Sequence, residues 1–265
     1  MPEAHPLVDT TQAIARTNVL GVGVSAVNMP LAIAQIDRLI GASEASYVCI
    51  SGAHGVMECQ RDERLRQIHN RAGLVTPDGM PLVWLSRWHG AKHVSRVYGP
   101  DLMLAFCEHS LEKGYRHFFF GGAEGVPERL AKRLETRFPG LIVAGAYSPP
   151  FRELTEEEDR AIVERINAAR PDIVWVGLST PKQERWMATH RERFQATVLI
   201  GVGAAFDFHA GVKPQAPRWM QRSGLEWLFR LSSEPRRLGR RYAYVVPMFI
   251  WLVLLQEIGL RRRPL

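Results

Sequence analysis

The sequence predicts an α/β protein: a Rossmann-like parallel sheet with helices on both faces, followed by a helical C-terminal appendage. Three observations carry this. Short runs of β-branched and aromatic residues alternate with stretches of helical character, the pattern of a parallel sheet covered on both sides. The run Ile173-Val174-Trp175-Val176-Gly177-Leu178 is apolar throughout, as a strand buried on both faces must be. Beyond Gly211 the composition changes, becoming helical, basic and rich in tryptophan (Trp219, Trp227, Trp251).

In chain order, residues 1–17 read as a flexible leader. Strands are expected over Val19–Val24, Tyr47–Ser51, Leu74–Thr76, His117–Phe120, Leu141–Ala144, Ile173–Leu178 and Val198–Val202. Helices are expected near 30–40, 54–71, 80–88, 101–113, 125–138, 155–169 and 182–193. Local signals support these limits. Thr155 and Glu158 have the spacing of a capping box. Pro127 falls in a first helical turn, where its missing N–H costs little. Pro139-Gly140 and Pro171 end the helices before them. The units are a leader (1–17), an α/β catalytic core (18–211) and a basic, amphipathic appendage (212–265).

At 265 residues, 46% hydrophobic and 23% charged, the chain can bury a core of ordinary size. Its net charge of +7 implies an acidic partner: phosphate, nucleic acid or anionic lipid. The first ten residues have neither a basic nor an apolar region, so no signal peptide is expected there. Cys49, Cys59 and Cys107 show no metal-type spacing, which fits reduced thiols in a cytoplasm. His89 and His93 are separated by Gly90 and do not make a helical zinc pair. No metal and no cofactor are expected.

Five motifs could carry chemistry. Leu74 to Pro81 (Leu-Val-Thr-Pro-Asp-Gly-Met-Pro) places Thr76, Asp78 and Gly79 just past a strand end, the edge where open α/β sheets bind ligands. Asp78 there is either a general base for a hydroxyl or the acid of an Asp-Gly turn or helix N-cap. The Gly121-Gly122 loop, between a strand and a helix start, can cradle a phosphate with backbone N–H groups or be a plain tight turn. It is not Gly-x-Gly-x-x-Gly. After Ile173–Leu178, Gln183 and Glu184 fall in a first helical turn, binding sugar hydroxyls or capping the helix. Asp207 lies in a small-residue segment, Gly201 to Gly211, and serves either structure or substrate. Arg96, beside a Gly-Pro turn, can hold phosphate bidentately or join a surface ion pair.

The tail is the most unusual segment. From Gly224 onward, eight arginines oppose three glutamates, a net +5, most of the charge of the whole chain. They bracket an uncharged run of 15 residues, Tyr242 to Gln256, interrupted by Pro247. A transmembrane helix needs about 20 apolar residues, so the run is expected to lie in the surface of an anionic membrane, aromatic side chains down and arginines at headgroup level. A helix buried in a homo-oligomer or on its own domain is the alternative.

Together the blocks Thr76–Trp84, Arg96–Leu102, Phe118–Val126, Gly177–Met187, Gly201–Gly211 and Ala216–Tyr242, in this order, resemble the WecG/TagA/CpsF family of membrane-associated glycosyltransferases. The resemblance covers residues 18–257. It implies inverting transfer of a sugar from a nucleotide donor, usually UDP-linked, to a polyprenyl-diphosphate-linked sugar, by a protein peripheral to the inner face of the cell membrane. It puts the general base on Asp78, the Gln-Glu pair on Gln183 and Glu184, and diphosphate-neutralising arginines among Arg218, Arg230, Arg237, Arg240 and Arg241, with Arg237 and Arg240 catalytic. One departure stands out: the Thr-x-Asn of many members is replaced by Ile50 and Gly52, with Ser51 and His54 nearby. The chain has no Asp-x-Asp, so arginines rather than a metal are expected to hold the leaving diphosphate. Two other functions fit parts of the chain. A nucleic-acid-binding protein would explain the basic tail but has no need of its apolar run. An NAD-dependent oxidoreductase would fit the sheet but lacks the fingerprint.

Overall fold

The computed structural model describes residues 14–42, 45–195, 198–260 and 263–265, with the side chain of Arg237 outside that description. Six parallel strands form the central sheet: β3 (Ser46–Ser51), β4 (Leu74–Pro77), β5 (Arg116–Gly121), β6 (Ile142–Tyr147), β7 (Ile173–Gly177) and β8 (Val198–Gly201), in the order β4-β3-β8-β7-β5-β6. A separate antiparallel hairpin, β1 (Arg16–Val19) and β2 (Val22–Ser25), precedes them. The helices are α1 (Met29–Ile40), α2 (Ala53–Arg61), α3 (Glu63–Arg71), α4 (Met80–Trp88), α5 (Gly99–Lys113), α6 (Val126–Arg137), α7 (Glu156–Ala169), α8 (Lys182–His190), α9 (Ala205–His209), α10 (Arg218–Arg222), α11 (Glu226–Ser233) and α12 (Pro235–Glu257).

The alternation along each strand builds two cores. Phe119, Trp175 and Ile200 point to one face, under α1, α5 and α6. Phe118, Phe120, Val174, Val176 and Leu199 point to the other, under α3, α7 and α8. The strand expected to be doubly buried is β7, inside the sheet between β8 and β5. Its Trp175 donates to Nδ1 of His117 at 2.9 Å, and burial holds that imidazole neutral by pulling its pKa down to about 3. The capping box opens α7: Thr155 Oγ1 accepts from Glu158 N at 3.2 Å, and Glu158 accepts from Thr155 N at 2.9 Å.

Three expectations are corrected. The single strand over Val19–Val24 is a hairpin, because Leu20 (φ 55°) and Gly21 (φ 83°) form a two-residue turn with both residues left-handed, the geometry that matches strand twist. The helix over 54–71 is two, broken at Asp62, which is extended and caps α3 by accepting from Leu65 N at 3.1 Å. The uncharged run in the tail belongs to a 23-residue helix that continues through Pro247; Leu238–Glu257 is long and apolar enough to span a membrane by length and composition, and 22% of its window is buried. The proline is tolerated because its ring and the carbonyl it leaves unpaired, that of Ala243, lie on the exposed side.

One side of α12 is committed to the protein. Val245, Phe249 and Leu252 join Val19, Leu20, Val22 and Val24 of the hairpin, Val56, Met57 and Cys59 of α2, and Leu82 of α4 in a third core. Gln256 ties the helix end to the hairpin, accepting from Leu20 N at 2.7 Å and donating to Asn18 O at 3.1 Å. The leader expected over 1–17 lies outside the described residues up to 13, and Arg16 and Thr17 open β1.

Candidate active site

All parallel strands end on one edge of the sheet, and there a cleft of about 1140 Å³ opens. Its walls come from the ends of β3, β4, β5, β7 and β8, from the loop 148–154, and from α11 and α12.

Asp78 stands immediately after β4. It is not the cap of α4; Gly79 is, and no side chain caps it. Its backbone N–H is held by Ser51 O at 2.9 Å, so β3 sets where the carboxyl points. The side chain keeps 30% of its surface open toward the cleft, while protein surrounds the rest. Among the described residues Oδ1 has no hydrogen-bond partner, and Arg96 Nη2 lies 3.8 Å from it. Desolvation, opposed by Arg96 and reinforced by Glu226, pushes the carboxyl up to about 6. A carboxylate partly open to the cleft, with an oxygen free of hydrogen bonds and a pKa near neutrality, is suited to accept a proton.

Arg96 is held on several sides. It donates to the Asp78 carbonyl, to Gln221 O at 3.3 Å and to Glu226 Oε2 at 2.5 Å, and it stacks 4.1 Å above the Tyr98 ring. Tyr98 donates to the other oxygen of Glu226 at 3.0 Å. Arg96 is therefore a half-buried structural cation beside the acid. Thr76 is wholly buried, and its hydroxyl donates to Val97 O at 3.4 Å, fastening the segment that carries Arg96 and Tyr98.

Across the cleft, Gly121 is used for packing. At φ 118° a Cβ there would meet the Gly177 backbone at 2.7 Å, so only glycine lets β5 and β7 end side by side. Gly122 lines the cleft with its N–H given to Gly177 O at 3.0 Å, and α6 begins just beyond. Gln183 and Glu184 sit in the first turn of α8, both buried. Gln183 faces the cleft and donates to Glu184 Oε1 at 3.0 Å; Thr180 donates to the same oxygen at 2.8 Å. Among the described residues Gln183 Oε1 and Glu184 Oε2 have no hydrogen-bond partner. Glu184 thus orients Gln183 from behind. Asp207 lines the cleft paired to Lys213 at 3.1 Å.

The arginines of the tail divide. Arg230 and Arg241 line the cleft. With Arg61 they act on His54, which burial and these three guanidinium groups bring down to about 4, leaving it neutral beside Glu58 at 3.5 Å. Arg218 points away, 3.4 Å from Asp101 and mostly exposed. Arg240 is exposed and is not among the lining residues. Arg237 lies one turn before Arg241 on α12, its side chain outside the described residues.

The fold thus gathers Asp78, Gly122, Gln183, Asp207, Arg230 and Arg241 around one space, with Gly79, Arg96 and Glu184 behind them and Thr76 and Gly121 inside the sheet edge. Ile50 and Gly52 line the cleft too, and a Cβ on Gly52 would sit 3.7 Å from Asp78 Oδ2. Sequence reasoning missed Glu226, counted only as a charge opposing the arginines, and the loop Ser148 to Leu154. The Ser-Pro-Pro at the start of that loop is a signal of an ordered, irregular segment. It presents Phe151, fully exposed, with Lys182 Nζ 5.3 Å from its ring.

The profile of the Glycosyl transferase WecG/TagA/CpsF family matches residues 17–263. The chain is 32% identical over 200 residues to a Bacillus spizizenii protein named N-acetylglucosaminyldiphosphoundecaprenol N-acetyl-beta-D-mannosaminyltransferase, covering 76% of this chain and 75% of that one. A Staphylococcus aureus protein of the same name is 25% identical over 248 residues, covering 93% and 95%. With a match that runs from the hairpin to the last described residues, the chain belongs to the WecG/TagA/CpsF family and is a glycosyltransferase.

Proposed function

We propose that this enzyme transfers an N-acetylhexosaminyl group, N-acetylmannosamine in the first instance, from a UDP-linked donor to a polyprenyl-diphosphate-linked N-acetylglucosamine, with inversion, in the synthesis of a cell-surface polymer. The acceptor and sugar follow the names of the relatives. The observation that carries the reaction is the partly open Asp78 carboxyl on the wall of the cleft that Arg230 and Arg241 also line. Asp78 takes the proton of the acceptor hydroxyl as its oxygen attacks the anomeric carbon. The bond from that carbon to the donor diphosphate breaks, and UDP leaves with the electron pair. Arg230 and Arg241 stabilise the charge that develops on the diphosphate, worth about 3 kcal/mol for each well-placed donor, and Arg237 and Arg240, carried on the same helix as Arg241, are assigned to the acceptor diphosphate. Gln183 binds a sugar hydroxyl.

The enzyme works at the cytoplasmic membrane surface. The outer side of α12 exposes Tyr244, Ile250, Trp251 and Leu254, and Ile258 just past its end is exposed too. Beside it, α4 exposes Trp84 and Trp88, and His89 at its end meets Glu257 at 3.0 Å. Tryptophans and arginines are the side chains that settle at a membrane interface. A spanning orientation would require α12 to leave its third core, so the helix lies in the surface.

The test is a panel of UDP-sugars with a short-chain lipid-diphosphate-N-acetylglucosamine acceptor, following UDP release and the disaccharide-lipid product. Product from UDP-N-acetylmannosamine supports the proposal. UDP release without acceptor glycosylation, or product only from another donor class, rejects it in that form.

A further inference from the structure

We infer that Glu226 is a positioning residue of this site: from the C-terminal segment it clamps Arg96 and thereby sets both the orientation and the basicity of the Asp78 carboxyl. The inference rests on the reading of Asp78 as the base. Glu226 opens α11, keeps only 12% of its side-chain surface exposed, and uses both oxygens, one on Arg96 at 2.5 Å and one on Tyr98 at 3.0 Å. Arg96 in turn binds the Asp78 carbonyl and lies 3.8 Å from its carboxyl. A free guanidinium at that distance would pair with the carboxylate and make it a poor base. Glu226 neutralises Arg96 from the far side and leaves it in only a long ion pair with Asp78 Oδ1, at 3.8 Å and with no hydrogen bond between them.

The other charged groups at this point fit the same account. Arg230, one turn along α11, is 3.9 Å from Glu226 and acts on Asp78 as a second cation. His54 and Arg241 face the same cleft from α2 and α12, and His54 is neutral. Glu226 is the anion that balances Arg96 and Arg230 around the acid; its charge acts on Asp78 against ionisation. Since Glu226 lies beyond Gly211, the base is complete only when the C-terminal segment is docked on the α/β core.

The experiment measures pH profiles of kcat and kcat/KM, with a water-soluble short-chain acceptor so that membrane binding does not enter, for wild type, Glu226→Gln, Glu226→Asp and Asp78→Asn, with thermal unfolding of each. Glu226→Gln removes the counter-charge, so the acid limb moves about one pH unit lower and kcat on the plateau falls roughly tenfold, with KM for the donor nearly unchanged. Glu226→Asp keeps the charge but shortens the reach to Arg96; its limb stays near that of wild type while kcat falls. This variant decides the matter if the glutamine variant does not fold. Wild-type kcat in both variants, or a loss of activity in Glu226→Gln with the limb unmoved, overturns the inference. Near-wild-type turnover in Asp78→Asn removes the underlying reading instead, so the two failures are distinct.

Discussion

Replacing Asp78 with Asn should make the enzyme nearly inactive and, above pH 6, more stable. The activity loss is about 10²–10⁴-fold in turnover, the usual contribution of a general base. The stability gain follows from linkage. The carboxyl titrates at about 6 in the folded chain against 3.8 as its ordinary value. Its folded pKa is raised, so the folded state holds the proton more tightly than the unfolded state, and the wild type loses stability as pH rises from about 4 to about 6. At 1.36 kcal/mol per pH unit the loss is at most about 3 kcal/mol, reduced in practice by the part of the side chain open to solvent and by the Arg96 contact that asparagine gives up. Asparagine does not ionise and escapes this loss. The two proteins should unfold alike below pH 4, and the variant should be the more resistant at pH 8 in urea or thermal unfolding, while UDP release assays show the activity gone. Near-wild-type turnover, or a variant less stable than wild type at pH 8, refutes the reasoning.

The remaining expectations test the donor, the arginines and the helix. UDP should stabilise the folded protein without added Mg²⁺, by about 2.7 kcal/mol at 100 times its Kd, read as a rise in unfolding temperature; loss of both the shift and the activity on EDTA treatment would show that a metal takes part. Arg230→Ala with Arg241→Ala should cut kcat on a soluble acceptor by 10²-fold or more, and an unchanged kcat would remove them from leaving-group stabilisation. Phe249→Ala should destabilise the whole protein by about 3–5 kcal/mol, because Phe249 is 5% exposed in the third core. Trp251→Ala with Ile250→Ala, on the opposite side of α12, should leave unfolding within about 1 kcal/mol of wild type and abolish flotation with anionic liposomes; equal effects at both positions would contradict the two-sided helix.

Much of this protein is written locally. The strands of the parallel sheet, the capping box at Thr155 and Glu158, and the placement of Asp78, Gly122, Gln183 and Asp207 at strand ends are readable because each depends on a few neighbouring residues: apolar runs, caps and small residues at turns. The motif blocks in their order also pointed to the family, whose profile covers nearly the whole chain. What tertiary structure decided are matters of distance in space. Arg96 looks like a phosphate ligand in the sequence, yet it is occupied by Glu226, 130 residues away. Arg230 and Arg241 reach the cleft whereas Arg218 and Arg240 do not line it, a distinction set by how α11 and α12 pack and invisible in a run of like charges. The tail helix reads as one apolar stripe, but one side of it is held by a hairpin from the start of the chain, and only the fold brings those segments together to bury it.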